Sequence, residues 1–231
     1  MKREEIKKNL ERVEERIEAA RNRSGSKAEV EIVGVTKGHP PALLEEALGA
    51  GIEILGENRV QELESKVEEI GRERCKWHMV GHLQRNKARQ LLPLIDLLHS
   101  VNSLRLARIL SREAERAGIV VEGLIQVNTS GEESKYGFSP EETVEAVGEI
   151  VELPGLEIVG VMTMAPFTDD ERLLRSTFAG ARELFEECAR SVPEFEARHL
   201  SMGMTNDFEI AVEEGSNMVR LGTILFGERE R

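Results

Sequence analysis

One lysine stands where a buried strand should end. Residues 31–35 are mainly apolar and β-branched, Thr36 and Lys37 follow them, and the segment 38–41 contains a glycine and two prolines that break the strand. Burial lowers the pKa of a lysine amine, and imine formation with an aldehyde needs the neutral amine. Lys37 is therefore a candidate anchor for an aldehyde. The alternatives are an amine that lies in water at the end of a buried stem, or a structural ion pair.

Two glycine-containing segments late in the chain are suited to phosphate binding. Each follows a predicted strand; they are Ser201-Met-Gly-Met-Thr-Asn206 and Arg220-Leu-Gly-Thr223. Their glycines let a ligand approach backbone N–H donors, and the hydroxyls of Ser201 and Thr223 are further donors. For the first segment, a helix-capping pair of Asn206 and Glu209 is the alternative interpretation.

A strand-end lysine and a phosphate site together suit a phosphorylated aldehyde, of which pyridoxal phosphate is the obvious candidate. Arg220 ends a predicted strand beside the second glycine segment. A guanidinium keeps its proton, so an arginine facing the pyridine nitrogen would leave that nitrogen unprotonated and weaken the ring as an electron sink. The alternative for Arg220 is an ion pair at the edge of the sheet.

These residues need a scaffold that brings strand ends together, and the hydrophobic pattern predicts one. An amphipathic helix over about 2–22 precedes eight strands that alternate with helices; the strands cover 31–37, 52–58, 77–82, 97–102, 120–128, 156–163, 199–202 and 218–222. This alternation predicts an α/β fold, a single (β/α)8 TIM barrel domain over 1–231, with the N-terminal helix as the additional element that closes the ring. An open doubly wound sheet is the alternative, although no Gly-x-Gly-x-x-Gly follows the first strand.

Composition narrows the classes of partner. A formal net charge of −12 argues against nucleic acid and anionic membranes, with a small basic cluster of Arg85, Lys87 and Arg89 as a local exception. No apolar run is long enough to cross a membrane and no signal peptide is recognised, so a cytoplasmic protein is expected. Cys75 and Cys188 form no CxxC pair, so neither a disulfide framework nor a metal site is expected. No long apolar surface stripe demands a partner, which predicts a monomer.

Several motifs resemble those of the pyridoxal phosphate homeostasis protein family. They occur in order from about residue 30 to Gly227, and they are Val35-Thr-Lys37, Gly56-Glu-Asn-Arg-Val-Gln-Glu62, Trp77-His-Met-Val-Gly-His82-Leu-Gln-x-Asn-Lys87, Leu200-Ser-Met-Gly-Met204 and Met218-Val-Arg-Leu-Gly-Thr223. The resemblance implies a barrel like the N-terminal domain of alanine racemase, with pyridoxal phosphate as a Schiff base on Lys37 and with Arg220 near the pyridine nitrogen. It also implies further contacts, which are phosphate binding around Ser201, Gly222 and Thr223, site-lining roles for Asn58 and His82, and a secondary cofactor contact at Lys135.

The family resemblance favours a carrier or regulator of the cofactor without catalytic turnover, with pyridoxal phosphate-dependent apoenzymes as recipients. The alternative is a racemase-like enzyme, which needs a second base on the opposite face of the substrate. Related racemases take a tyrosine from a further domain that this chain is not expected to contain, and Tyr136 is the single tyrosine here. His78 should alternate with Met79 and is expected to face the helices. A third hypothesis is a sugar-phosphate enzyme that uses Lys37 without a cofactor.

Overall fold

Eight short parallel strands pair in sequence order, and the last one pairs with the first. The computed structural model describes residues 1–132 and 136–228. The strands are Glu31–Val35 (β1), Ile54–Glu57 (β2), Lys76–Met79 (β3), Leu97–Val101 (β4), Val121–Gln126 (β5), Leu156–Met162 (β6), His199–Ser201 (β7) and Met218–Leu221 (β8). The predicted (β/α)8 barrel is confirmed, and the open sheet is excluded because β1 and β8 are hydrogen-bonded neighbours.

Helices surround the barrel. In the described part of the chain they are Arg3–Ser24 (α1), Pro41–Gly49 (α2), Val60–Ile70 (α3), Ala88–Leu91 (α4), Leu104–Ala117 (α5), Pro140–Val151 (α6), Glu171–Ser191 (α7), Phe208–Glu213 (α8) and Thr223–Phe226 (α9). Two predicted N-caps are present, since Ser103 Oγ accepts from the Leu106 N–H and Ser139 forms a capping box with Glu142. Among the described helices, none is both long and apolar enough to span a bilayer.

Two segments differ from the prediction. The helix expected over 85–92 is a short α4 flanked by single 3₁₀ turns, and the second of these turns includes Pro93 rather than stopping before it. The helix expected from Asn206 begins at Phe208 with Asp207 as its N-cap. Glu209 bonds Arg16 at 2.6 Å instead of capping the helix, so the capping pair of Asn206 and Glu209 does not form.

Helix α1 occupies the position that a helix after β8 would take. It packs between α8 and α2 and also contacts α9. Its apolar stripe is buried against them, while Asn9 Nδ2 donates to the Leu225 carbonyl at 3.0 Å and Arg16 lies over the Phe208 ring. The expectation that the N-terminal helix closes the ring is therefore confirmed.

Apolar residues fill two layers. The outer layer lies between the strands and the helices. The inner layer fills the barrel, and its members are Val33, Val35, Ile54, Val80, Leu97, Leu124, Val159, Met162 and Met218. Because both faces of each strand are buried, the strands read as nearly continuous apolar runs in the sequence. Polar side chains interrupt the inner layer at a few positions.

Candidate functional site

A cavity of about 290 Å³ opens at the C-terminal ends of the strands. Its lining brings together five of the residues singled out from the sequence, which are Lys37, Asn58, Arg220, Gly222 and Thr223. The remaining wall combines apolar side chains such as Val35, Val80 and Met164 with the polar loop 205–207. Ligand sites of barrels lie at this end, because the loops that follow the strands converge there.

Lys37 reaches the cavity through the alternation of β1. Val33 and Val35 face the barrel interior, so the side chain two residues later points the same way. The backbone on both sides of Lys37 is held in place. The Thr36 N–H donates to the Gly56 carbonyl at 3.0 Å, and the Gly38 N–H donates to Glu62 Oε2 at 2.8 Å. This anchoring fixes the direction in which the half-buried Lys37 side chain leaves the strand.

A buried ion pair lies directly behind Lys37, between the sheet and α3. Lys66 Nζ donates to Glu57 Oε1 at 2.5 Å and to the Thr36 carbonyl at 2.8 Å. The Thr36 hydroxyl donates to the same Glu57 oxygen, and Glu57 Oε2 is buried with no hydrogen-bond partner. Burial raises the pKa of Glu57 although the nearby Lys66 ammonium acts to lower it. Sequence reasoning missed this pair, because only the packing of α3 on β2 brings the two side chains together.

Arg220 lies at the inner end of the cavity and is 5% exposed. Its Nη1 donates to Ser201 Oγ at 2.7 Å, and its Nη2 donates to the Thr163 carbonyl at 2.8 Å. Burial lowers the pKa of Arg220 to about 10, and the charge of Asp207 acts in the opposite direction. The side chain is therefore a cation at neutral pH and is held in place by groups on two neighbouring strands or their ends.

The loop after β7 is shaped by a glycine and an aspartate. Gly203 has a φ of +94°, and a Cβ there would lie 2.7 Å from the Cβ of Ala211. Asp207 Oδ1 accepts from the Met204 N–H at 2.6 Å. Burial raises the pKa of the Asp207 carboxyl, while the Met204 N–H bond and the Arg220 charge act to lower it. Asp207 places a carboxylate in the cavity wall that the sequence interpretation, centred on Asn206, did not identify.

Two residues expected in the site lie elsewhere. Ser201 is fully buried and sits level with Met218 in the β7–β8 pairing, two residues nearer the N-terminal end of β8 than Arg220, and it does not line the cavity. His82 is exposed beyond the end of β3; its ring stacks on Tyr136 at 4.2 Å and its Nδ1 lies 3.1 Å from Asn102 Nδ2, in a separate cavity.

Asn58 lies in the wall of the Lys37 cavity. It follows β2, and the loop after β3 packs so closely on it that a Cβ at Gly81 would collide with the Asn58 carbonyl oxygen. Lys135, the expected secondary contact, lies outside the described residues. Within the described ranges, no group of three or more His, Cys, Asp or Glu side chains is placed to hold a metal ion.

His78 faces the barrel interior and not the helices, contrary to the expectation from the sequence. Its Nδ1 lies 3.0 Å from His99 Nε2, whereas Met79 belongs to the outer apolar layer. His78 and Met79 do point to opposite faces of β3, as predicted, but the prediction assigned the two faces the wrong way round.

The cavity fits a small phosphorylated aldehyde with an aromatic ring. A lysine side chain lines the cavity, as attachment of an aldehyde requires, and apolar side chains of the wall can contact a ring. The first turn of α9 begins at the wall, since the N–H groups of Leu225 and Phe226 close that turn onto the Gly222 carbonyl. Backbone N–H groups ahead of such a turn and the Thr223 hydroxyl are donors of the kind that bind phosphate.

Known proteins match this chain over nearly its whole length. Residues 8–230 match the family described as alanine racemase, N-terminal domain. The pyridoxal phosphate homeostasis protein of Aquifex aeolicus (strain VF5) is 40% identical over 222 residues, which are 96% of this chain and 97% of that protein. The structure of PipY from Synechococcus elongatus PCC7942 with PLP bound is 34% identical, has a TM-score of 0.84, and the match covers 96% of this chain and 100% of that chain. An alanine racemase of Clostridium difficile 630 shares the fold, with a TM-score of 0.76 at 18% identity, over 99% of this chain and 58% of that one.

Proposed function

The chain belongs to the pyridoxal phosphate homeostasis proteins, within the family of the alanine racemase N-terminal domain, and we propose that it binds pyridoxal 5'-phosphate at the C-terminal rim of the barrel and serves the homeostasis of this cofactor. The observation that carries the proposal is the cavity that Lys37 and Arg220 share with the turn at Gly222. A relative whose structure has PLP bound supports it.

In this proposal Lys37 is the point of covalent attachment to the aldehyde carbon. The bonds to Thr36 and Gly38 on either side fix its backbone, so the amine is presented to the cavity in one direction. We assign phosphate binding to the N–H groups at the start of α9 and to the Thr223 hydroxyl, with Thr205 and Asn58 as further polar groups of the wall. Ser201 acts through Arg220 and not by direct contact, and His82 is not part of this set.

In this proposal the charge of Arg220 controls the protonation of the cofactor's pyridine nitrogen. The cofactor's chemistry is that of an electron sink, which is strongest when the pyridine nitrogen is protonated. Arg220 carries a positive charge at neutral pH and can only donate hydrogen bonds, so it disfavours protonation of a nitrogen that faces it. In addition, the described residues that line the cavity include no histidine or tyrosine to act as a second base. Both features favour holding the cofactor over amino-acid racemisation, and amino-acid turnover assays on the loaded protein test this choice.

Lys37→Ala should abolish covalent attachment of the cofactor while leaving the protein folded. The purified protein is mixed with pyridoxal phosphate, its absorbance spectrum is recorded, and the adduct is trapped with borohydride and located by peptide mapping. The trapped adduct is expected on Lys37 in the unsubstituted protein and absent from the variant. Lys87→Ala is the matched control, because that lysine bonds Gln90 on the outside of the barrel. A trapped adduct at unchanged stoichiometry in Lys37→Ala would show that another residue is the anchor.

Arg220→Gln should change the absorbance spectrum of the bound cofactor, or its dependence on pH, more than it changes attachment to Lys37. The amide keeps hydrogen-bonding capacity but removes the fixed charge that faces the cavity. The spectrum is recorded between pH 6 and 9 beside Arg85→Gln, an exposed arginine in the cavity of His82. Identical spectra for all three proteins would place Arg220 away from the ring nitrogen.

The proposal extends to a cytoplasmic monomer that passes its cofactor to apoenzymes. The name of the relatives, the strongly acidic composition and the solvent-facing cavity support it. Incubating the loaded protein with a pyridoxal phosphate-dependent apoenzyme should restore that enzyme's activity faster than spontaneous release into buffer allows. Sedimentation of the loaded protein tests the monomer.

A further inference from the structure

Four buried polar side chains form a continuous row through the barrel interior, starting at Arg220. Arg220 Nη1 donates to Ser201 Oγ at 2.7 Å, Ser201 Oγ lies 3.0 Å from His99 Nδ1, and His99 Nε2 lies 3.0 Å from His78 Nδ1. Ser201 and His99 are 0% exposed, and His78 is 3% exposed. We call Arg220, Ser201, His99 and His78 the buried polar row.

The far end of the buried polar row reaches the opposite rim of the barrel. His78 lines a cavity of about 480 Å³ at the N-terminal ends of the strands. Charged and titratable groups line this cavity beside His78, and they include Glu31, Lys76 and His199, with His199 Nδ1 3.2 Å from Glu31 Oε2. The row therefore connects the cavity that holds Lys37 with a second, solvent-facing cavity at the other end of the molecule.

The donor and acceptor of each hydrogen bond in the buried polar row follow from the chemistry of its side chains. Arginine can only donate, so Ser201 Oγ accepts from Arg220. Within the described contacts, the acceptor for the Ser201 hydroxyl proton is His99 Nδ1. With that nitrogen accepting, His99 carries its proton on Nε2 and donates to His78 Nδ1, and His78 then carries its proton on Nε2. This arrangement gives both the Ser201 hydroxyl proton and the His99 Nε2–H an acceptor, whereas the reverse order leaves the Ser201 hydroxyl proton without one among the described contacts.

Both imidazoles are neutral in this arrangement. Burial lowers the pKa of His78 to about 3 and that of His99 well below its ordinary value, and the nearby charge of Arg220 adds to the effect on His99. Small barrels usually fill their interior with branched apolar residues, and buried polar groups are tolerated only when they are hydrogen-bonded. Two neutral histidines in the interior thus need a reason beyond packing.

We propose that His99 and His78 are positioning residues for Arg220. Both histidines are protonated at Nε2 and unprotonated at Nδ1, and in this form they orient the Ser201 hydroxyl so that its oxygen accepts from Arg220 Nη1. The guanidinium is then fixed by Ser201 on one side and by the Thr163 carbonyl on the other, with its remaining face toward the cavity. The consequence for the cofactor rests on the proposed function, but the tautomers do not. His99 and His78 are not among the described residues that line the Lys37 cavity.

The tautomers are tested first, on the protein without added ligand. The chain has five histidines, so ¹⁵N-histidine labelling with assignment by the variants His78→Gln and His99→Asn is tractable. Long-range ¹H–¹⁵N correlation spectra at pH 7.5 should show both His78 and His99 protonated at Nε2 and unprotonated at Nδ1, with no change down to pH 6. A proton on Nδ1 of His99, or a charged ring at pH 7.5, would overturn the proposal.

The positioning role is tested with a matched pair of substitutions on the loaded protein. His99→Leu removes the acceptor of the Ser201 hydroxyl, whereas His99→Asn can present an amide oxygen near the position of Nδ1. The rate of cofactor release should rise about tenfold in His99→Leu, the size expected for one buried hydrogen bond, and the spectrum should shift toward that of Arg220→Gln. His99→Asn should stay within about threefold of the parent protein.

Other outcomes are distinguishable. If both variants lose stability to denaturant but keep the parent's spectrum and release rate, the row is structural and the positioning role is wrong. If the unsubstituted protein takes up no cofactor, the proposed function fails while the tautomer measurement still decides the arrangement of the row. Borohydride trapping on Lys37 should remain intact in both variants, and its loss would point to a global defect instead of an effect on Arg220.

Discussion

Lys66→Met should lower the free energy of unfolding by about 3–5 kcal/mol at pH 8, because it leaves the Glu57 carboxylate buried without its partner. Lys66 and Glu57 have 5% and 0% of their side chains exposed, so water cannot replace the lost ammonium. Methionine fills a similar volume in the apolar layer behind α3, which keeps the loss of packing small. The measurement is urea denaturation of the protein without ligand.

The pH dependence of the stability of Lys66→Met shows whether the lost stability comes from the buried Glu57 charge. Burial already raises the pKa of Glu57, and removing the cation that opposes this shift raises the pKa further. A carboxyl whose folded pKa is raised binds more protons in the native state than in the unfolded state, so the stability deficit of the variant relative to the parent protein should shrink as pH falls from 8 toward 5. A deficit that is the same at both pH values would mean that packing, and not charge, is the origin.

A double substitution is the matched control for this pair. Replacing both partners with apolar residues of similar size, as in Lys66→Met with Glu57→Leu, should recover most of the stability lost in the single variant. The Thr36 carbonyl still loses its donor in the double variant, so Lys37 should be less well fixed. We therefore expect near-parent stability with slower borohydride trapping. A double variant no more stable than Lys66→Met would contradict the ion-pair explanation.

Acid should destabilise the protein steeply through His78 and His99. Both are neutral when folded, because burial lowers their pKa values, and both bind a proton when exposed in the unfolded chain. Below about pH 6.5 the unfolded state therefore binds more protons, and each histidine lowers the free energy of unfolding by ~1.4 kcal/mol per pH unit. Together they contribute ~4 kcal/mol of loss between pH 6 and 4.5.

The variant His99→Asn isolates this effect from the many carboxylates that titrate in the same range. Carboxylate contributions are shared by parent and variant, so they cancel in the difference between the two curves. The slope of unfolding free energy against pH between 6 and 4.5 should fall by ~1.4 kcal/mol per unit in the variant. Parallel curves would mean that His99 is protonated or reached by water in the folded state.

The barrel was predictable because each buried parallel strand reads as an apolar run with a polar or glycine residue at its end. Lys37 and Arg220 share an interior phase with Val35 and Met218, two positions before each of them, and Asn58 lies four positions after the interior Ile54. That alternation is local information. The turn at Gly222 was predictable for the same reason, since it directly follows β8.

Other parts of the site depend on contacts between distant segments. His99 and Ser201 are 102 residues apart, and neither neighbourhood indicates the other. His82 lies in a separate cavity, because β3 ends at Met79, three residues earlier than its apolar pattern suggests, and the His82 ring then stacks on Tyr136. Lys66 looks like an ordinary charge on an amphipathic helix until α3 packs on β2. The sequence could indicate which residues were polar but not which of them would meet.

The position of α1 has a consequence for the order of synthesis. This helix is made before β1, yet it packs on α8 and α9, and its Asn9 bonds a carbonyl 216 residues further along the chain. In a nascent chain emerging from the ribosome, the part of the α1 surface that packs on α8 and α9 therefore stays uncovered until these last elements have left the exit tunnel, although α2 can already contact α1. Contacts of such large sequence separation form late and slowly. We expect chaperone dependence during translation to concentrate on this first helix, and to end only when the last strand closes the barrel.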